Sequence, residues 1–233
     1  MTASSHAARG GPPLALVAGV FAALFVASLA ATTVMAGGTF PSPFDDAARI
    51  QAYFAGERDA VRVGAVLQFA AAVPLAVLAA AVHARLHQLG IRVAGATIAL
   101  AGGLLASVFA SLSALLQWTL SRPAVTDQPA VVRALHDLAF LTGGPAHVVA
   151  LGLLLAGIAV PALIVGILPR WLAVTGLLLA VPAELSTVAL LTSGFAVLLP
   201  LARFGAMAWL IAAGALLPVT RSPRSAPDSG GGR

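Results

Sequence analysis

Apolar residues fill six long stretches of the chain, and polar residues gather in the gaps. The stretches run from about 13–36, 63–84 and 93–120, within 131–168, and then 171–193 and 196–218. A helix of about 20 apolar residues crosses the roughly 30 Å hydrocarbon core of a bilayer, so each stretch is long enough. The only charges inside them are Arg133 and Asp137 at the start of the fourth, Glu184 in the fifth and Arg203 in the sixth. In lipid the backbone must satisfy its own hydrogen bonds, which a helix does. The pattern predicts an all-α integral membrane bundle of six transmembrane helices. Residues 1–12 read as a cytoplasmic N-terminal segment, 13–218 as the transmembrane domain, and 219–233, rich in Gly, Pro and Arg, as a disordered tail. The first apolar run exceeds the roughly 7–15 residues of a signal peptide, so it is read as a retained span despite the cleavage-like Val34-Met35-Ala36.

Two segments need closer reading. In the longest loop, Ser42-Pro43-Phe44-Asp45 predicts a helix start: Ser42 caps, Pro43 takes the first position and Asp45 completes a capping box. Phe44, Ile50, Tyr53 and Phe54 give the helix an apolar side, and Asp45 and Arg49 pair at i,i+4. The expectation is a short amphipathic helix on the outer membrane surface. In the fourth stretch, Leu138 to Leu168 is too long for one upright crossing, and Thr142-Gly143-Gly144-Pro145 offers a break. A continuous helix would put His136 and His147 on one face, about 16 Å apart; a broken one would leave an outer helix and a new start at His147.

Composition sharpens the class. Of 233 residues, 60% are apolar and 9% charged, with a mean hydropathy of +0.99. A soluble domain carries roughly 45–50% apolar and about 25% charged residues. A cytosolic enzyme, a nucleic-acid reader and a disordered chain are excluded. There is no Cys, hence no disulfide, thiol redox centre or thiolate metal site. All 13 basic side chains are Arg, so no lysine exists for a retinal or PLP Schiff base. The Ala/Gly/Arg-rich, Lys-free composition suggests a GC-rich bacterial genome. The arginines are distributed by side: Arg9, Arg85, Arg92, Arg170, Arg221, Arg224 and Arg233 share one side with a single acid, Asp228. The opposite loops mix five arginines with six acids. The positive-inside rule then places both termini in the cytoplasm of a bacterial inner membrane.

Candidate chemistry lies where polar residues enter the spans. Glu184 lies ten residues before Gly194, the turn between spans five and six, and Arg203 nine residues after it. Both therefore sit about 13–15 Å below that turn, and a buried ion pair would offset the cost of each charge. Gln68, Gln117, Trp118, Thr187 and His147 are expected at the same layer, lining one pocket with Glu184 and Arg203. Pro182, two residues before Glu184, loosens the helix there. If the site is catalytic, Glu184 is the general acid and His147 its partner. Small residues Gly95, Ala99, Gly103, Ser107 and Ser111, spaced by four, form a packing ridge that places the third span centrally. His83 and His87 lack a third ligand, and no two histidines face each other at midplane depth, so no metal or haem is assigned.

Two further stretches carry a resemblance. Ile167-Leu168-Pro169-Arg170-Trp171-Leu172 and Arg203-Phe204-Gly205-Ala206-Met207-Ala208-Trp209-Leu210 look like bacterial multi-helix membrane proteins of a domain-of-unknown-function family. The resemblance covers the last three spans, implies six helices and carries over no functional residue. Three functions stay open. The first is a membrane-embedded binding or scaffold protein, in contact with lipid and a lipophilic small molecule but not nucleic acid. The second is a small-molecule or proton-coupled transporter, against which stands the lack of an inverted repeat. The third is a membrane-embedded enzyme on a terpenoid-like substrate, which the 14 aromatic residues support poorly.

Overall fold

The computed structural model describes residues 12–220. The N-terminal segment up to Gly11 and the tail after Thr220, read above as cytoplasmic and disordered, lie outside the described residues. Nine α-helices make up most of the rest, and no strand occurs among the described residues: α1 Leu14–Ala36, α2 Ala47–Gly56, α3 Arg58–Gln88, α4 Ala94–Leu120, α5 Pro123–Thr126, α6 Pro129–Leu141, α7 His147–Val165, α8 Arg170–Leu185 and α9 Leu198–Leu216. A π-helical turn, Thr142–Ala146, joins α6 to α7, and two 3₁₀ turns, Ser186–Leu190 and Ser193–Val197, join α8 to α9.

Six of the resulting helical stretches are long and apolar enough to span a membrane: Leu14–Ala36, Arg58–Gln88, Ala94–Leu120, Pro129–Val165, Arg170–Leu190 and Ser193–Leu216. Their outward faces are apolar. Leu16 is 62% exposed, Leu178 66% and Ile164 79%. Water would penalise so much exposed hydrocarbon, whereas lipid accepts it. The chain is an integral membrane protein.

Each span packs on its neighbours in the chain, and the last returns to the first. α1 lies on α3, α3 on α4, α4 on α7, α7 on α8, α8 on α9, and α9 on α1. Small residues set the close crossings. A Cβ built on Gly102 would stand 2.6 Å from the Leu154 amide nitrogen, and one on Gly157 2.4 Å from that of Ala99. The small-residue ridge is therefore split: Gly95 and Ala99 meet α7, while Gly103 meets Ala79 of α3 and Ser107 donates to Ala72 O at 2.7 Å. α7, not α4, is the most enclosed span. Glycines in the left-handed region end α1 at Gly37 and α7 at Gly166 (φ 63° and 73°).

The loop side, away from the two chain ends, carries a separate lid of structure. Ile50, Phe54, Val61, Leu120 and Val132 form its core. Two expectations change here. Ser42 and Asp45 do bond, the Ser42 amide donating to Asp45 Oδ2 and the Asp45 amide to the Ser42 carbonyl, both at 3.0 Å, while Ser42 Oγ accepts from the Phe44 amide at 3.2 Å. They close a single turn, however; the helix begins later, at Ala47, with Asp46 as its cap. Its apolar side then packs down on the bundle rather than on lipid: Ile50 is 1% and Phe54 0% exposed. Arg133 holds this lid. It pairs with Asp137 at 3.0 Å and donates to the Pro43 carbonyl at 2.7 Å.

The fourth span does not break. It runs on through Thr142–Ala146 as a wider turn, in which the His147 amide donates to the Thr142 carbonyl five residues back. Pro145 has no N–H to complete an α-turn, and the two glycines before it leave room for the wider one.

Candidate functional site

Beneath the lid, in the loop-side half of the bundle, is a cavity of about 500 Å³. Its wall is mostly apolar, built from Phe25 and Leu29 of α1, Phe40 and Pro41 of the loop, Ala139 and Phe140 of α6, and Leu199 of α9. Four lining residues are exposed: Leu29 and Thr33 on α1, Thr39 in the loop, and Pro200 on α9. The mouth therefore lies between the loop-side ends of α1 and α9. Leu29 and Pro200 belong to membrane-spanning stretches, and Thr33 and Thr39 carry the rim towards the loop.

Arg203 lies one turn deeper than Pro200 on α9, four residues from buried Leu199 and so on the same face. It is half-buried. Its Nη2 donates to the Gly143 carbonyl in the π turn, and its guanidinium carbon stands 5.2 Å from the Phe25 ring centroid. A charge at this depth costs about 2.5–3.5 kcal/mol on insertion scales. The carbonyl and the ring face offset that cost. Nε of Arg203 has no partner.

A chain of hydrogen bonds lines the wall formed by α3, α4 and α6. Gln117 Nε2 donates to Gln68 Oε1 at 3.0 Å and to Ser113 Oγ at 3.2 Å. Ser113 Oγ donates to Ala139 O at 2.9 Å, and Gln68 Nε2 to Ala110 O at 3.3 Å. Ser28 and Thr32 add hydroxyls from α1. His136, 2% exposed, completes the wall with its ring edge on Phe54 (centroids 5.3 Å apart); its Nδ1 is buried without a partner. No Asp or Glu lines the cavity, so its titratable side chains are Arg203 and His136.

The predicted site residues divide. Gln68, Gln117 and Arg203 come together at the cavity. His147 stands one layer behind. Its Nδ1–H donates to Ala106 O at 2.8 Å, its ring stacks on Phe25 at 6.3 Å, and its Nε2 has no partner. Trp118 faces outward under the Arg122 guanidinium, 5.0 Å away, beside a smaller apolar groove between α3 and α4. Thr187 lies exposed on the first 3₁₀ turn.

The Glu184–Arg203 ion pair is not made. Among the described residues the ion pairs are Arg49–Asp45, Arg62–Asp59 and Arg133–Asp137. Glu184 is exposed and lies over Gly152 of α7, where a Cβ would stand 2.8 Å from its Oε1. Counting residues from the turn gives the depth of a side chain but not the direction it points. Glu184 looks out along the α7–α8 seam, while Arg203 looks in towards α1 and the π turn.

Phe25, Ser28, Thr32, Phe40 and Gly143 were missed as site residues. Ser28 and Thr32, spaced by four in a run whose only other polar residue is the adjacent Thr33, were a legible signal for a polar stripe facing inward. His136 and its neighbours gave a misleading one, because Arg133 and Asp137 read as an exposed surface. Among the described residues no three His, Asp or Glu side chains cluster to hold a metal ion.

No family model matches this chain, and neither does any curated protein or solved structure. The fold and the site define the class directly: a polytopic helical membrane protein with a mostly apolar cavity in one half of its bundle.

Proposed function

We propose that this protein is a membrane-embedded binding protein that takes a lipophilic small molecule from the bilayer. The observation that carries this is the cavity of about 500 Å³, within the usual range of ligand sites, whose exposed rim includes Leu29 and Pro200 of two membrane-spanning stretches. A molecule dissolved in lipid enters there without crossing water. The arginine asymmetry supports a bacterial inner membrane with both termini cytoplasmic and the cavity in the outer leaflet. The likeness of the last three spans to bacterial multi-helix membrane proteins fits this reading and adds no site. The acid–base reading needs Glu184 and His147 at one cavity, and neither lines it.

The test uses Leu29→Trp at the mouth and Leu178→Trp on the outer face of α8, which is 66% exposed. Each is reconstituted in lipid nanodiscs and titrated with a bromine-tipped long-chain alcohol, which quenches nearby tryptophan. The unsubstituted protein supplies the background from Trp118, Trp171 and Trp209. Saturable quenching in the Leu29→Trp protein, above the linear partitioning seen in the Leu178→Trp protein, is expected. Identical linear curves for the two would sink the proposal.

A further inference from the structure

The charges of the cavity go further than its size. Building on the binding reading, we infer that the ligand is an amphiphile with an oxyanion head, carboxylate or phosphate, and that Arg203 is its counter-ion. Arg203 is the one guanidinium on the cavity wall. It commits one N–H to the Gly143 carbonyl and forms no ion pair among the described residues. A guanidinium offers five donors in a planar fork that matches two oxygens of a carboxylate or phosphate. No carboxylate on the wall competes for that fork or repels an anion.

The placement of polar and apolar groups sets the orientation. Arg203, Phe25 and the Gln68–Gln117–Ser113 chain lie inward of the mouth, and exposed Leu29 and Pro200 form it. An amphiphile therefore sits head inward on Arg203, with its chain passing between α1 and α9 into the lipid. Arg203 lines a cavity of about 500 Å³, large enough for such a head.

The experiment compares heads on one tail, in the Leu29→Trp protein at pH 9. The probes are 11-bromoundecanoate, 11-bromoundecyl phosphate, 11-bromoundecanol and 11-bromoundecylamine, each corrected for its own partition into protein-free nanodiscs. Quenching by one or both anions should saturate at concentrations at least tenfold lower than for the alcohol, with the amine weakest. The ratio between the carboxylate and the phosphate assigns the head. In Arg203→Gln the anion preference should vanish while alcohol binding persists, which also reports a folded cavity; Arg203→Lys should keep part of the preference. Saturable binding with no preference for anions, or a preference unchanged in Arg203→Gln, overturns the inference and leaves the binding reading standing. Absence of saturable quenching by every probe overturns both.

Discussion

Gly157→Ala adds one methyl group where a Cβ would come nearest to the backbone of a neighbouring helix. Its Cβ would stand 2.4 Å from the Ala99 amide nitrogen, 2.7 Å from the Ala99 Cα and 2.8 Å from the Gly95 carbonyl oxygen. All three are backbone atoms, so no side-chain rotation relieves the clash. Ordinary contact begins near 3.4 Å, so α4 and α7 must part by about 1 Å. A gap of that size forfeits a quarter to a half of each dispersion contact along the seam. Overpacking of this kind costs about 1–3 kcal/mol, and alanine's better helix propensity returns at most about 1 kcal/mol. We expect a net loss of about 1–2 kcal/mol. Gly19→Ala is the matched control: nothing lies within 4 Å of its Cβ, so only the helix-propensity gain remains and stability should hold or rise. Unfolding in dodecyl maltoside micelles with rising SDS fraction, followed by circular dichroism, measures both. If Gly157→Ala proves as stable as Gly19→Ala, the close approach of α4 and α7 is wrong.

Three other outcomes follow from the geometry. Tyr53 is the sole tyrosine, and burial first, then the nearby Glu57, hold its phenol above the usual value of 10.0. Tyrosinate absorbance near 295 nm should therefore appear at higher pH in the folded protein than in the unfolded one. The stabilisation is complete below pH 10 and fades as pH climbs through the folded value; Tyr53→Phe should remove that alkaline dependence. Because Glu184 and Arg203 do not touch, the stability effects of Glu184→Gln and Arg203→Gln should add within about 0.5 kcal/mol; a coupling of several kcal/mol would restore the ion pair. Topology is open to a thiol test in a chain without native cysteine. Ala48→Cys, exposed on the lid, should react with an impermeant maleimide on intact cells, and Gln88→Cys, exposed at the other end, should not; the reverse pattern inverts the orientation.

The six spans were legible because bilayer thickness dictates their length and lipid dictates their composition. That α4 packs closely was legible too, since close approach in lipid selects small residues at intervals of four; that the ridge would divide between α7 and α3 was not. Direction around a helix axis was harder to read. Glu184 and Arg203 agree roughly in depth, yet an uninterrupted hydrophobic run has no polar face to fix how each helix is turned. The lid was half legible: the Asp45 side chain reaches back to the Ser42 amide as expected, but Pro43 and Phe44 close a turn instead of starting a helix. The cavity itself needed tertiary structure. Its wall joins Thr32, Gln68, Gln117, His136 and Arg203, drawn from five different helices.

The wide turn at Thr142–Ala146 can be seen as a single surplus residue. Each residue of an α-helix advances it by about 100°. Without the surplus, His136 and His147, eleven positions apart, would point almost the same way. With it, the rotation accumulated before the turn no longer carries through, and the two imidazoles look into different surroundings: one at Phe54 under the lid, the other at Ala106 and Phe25. An insertion at this point lets the lid half and the membrane half of one helix be tuned separately. Deleting one residue there would leave every span long enough for the bilayer, yet set α6 and α7 about a quarter-turn out of phase with the partners they now have.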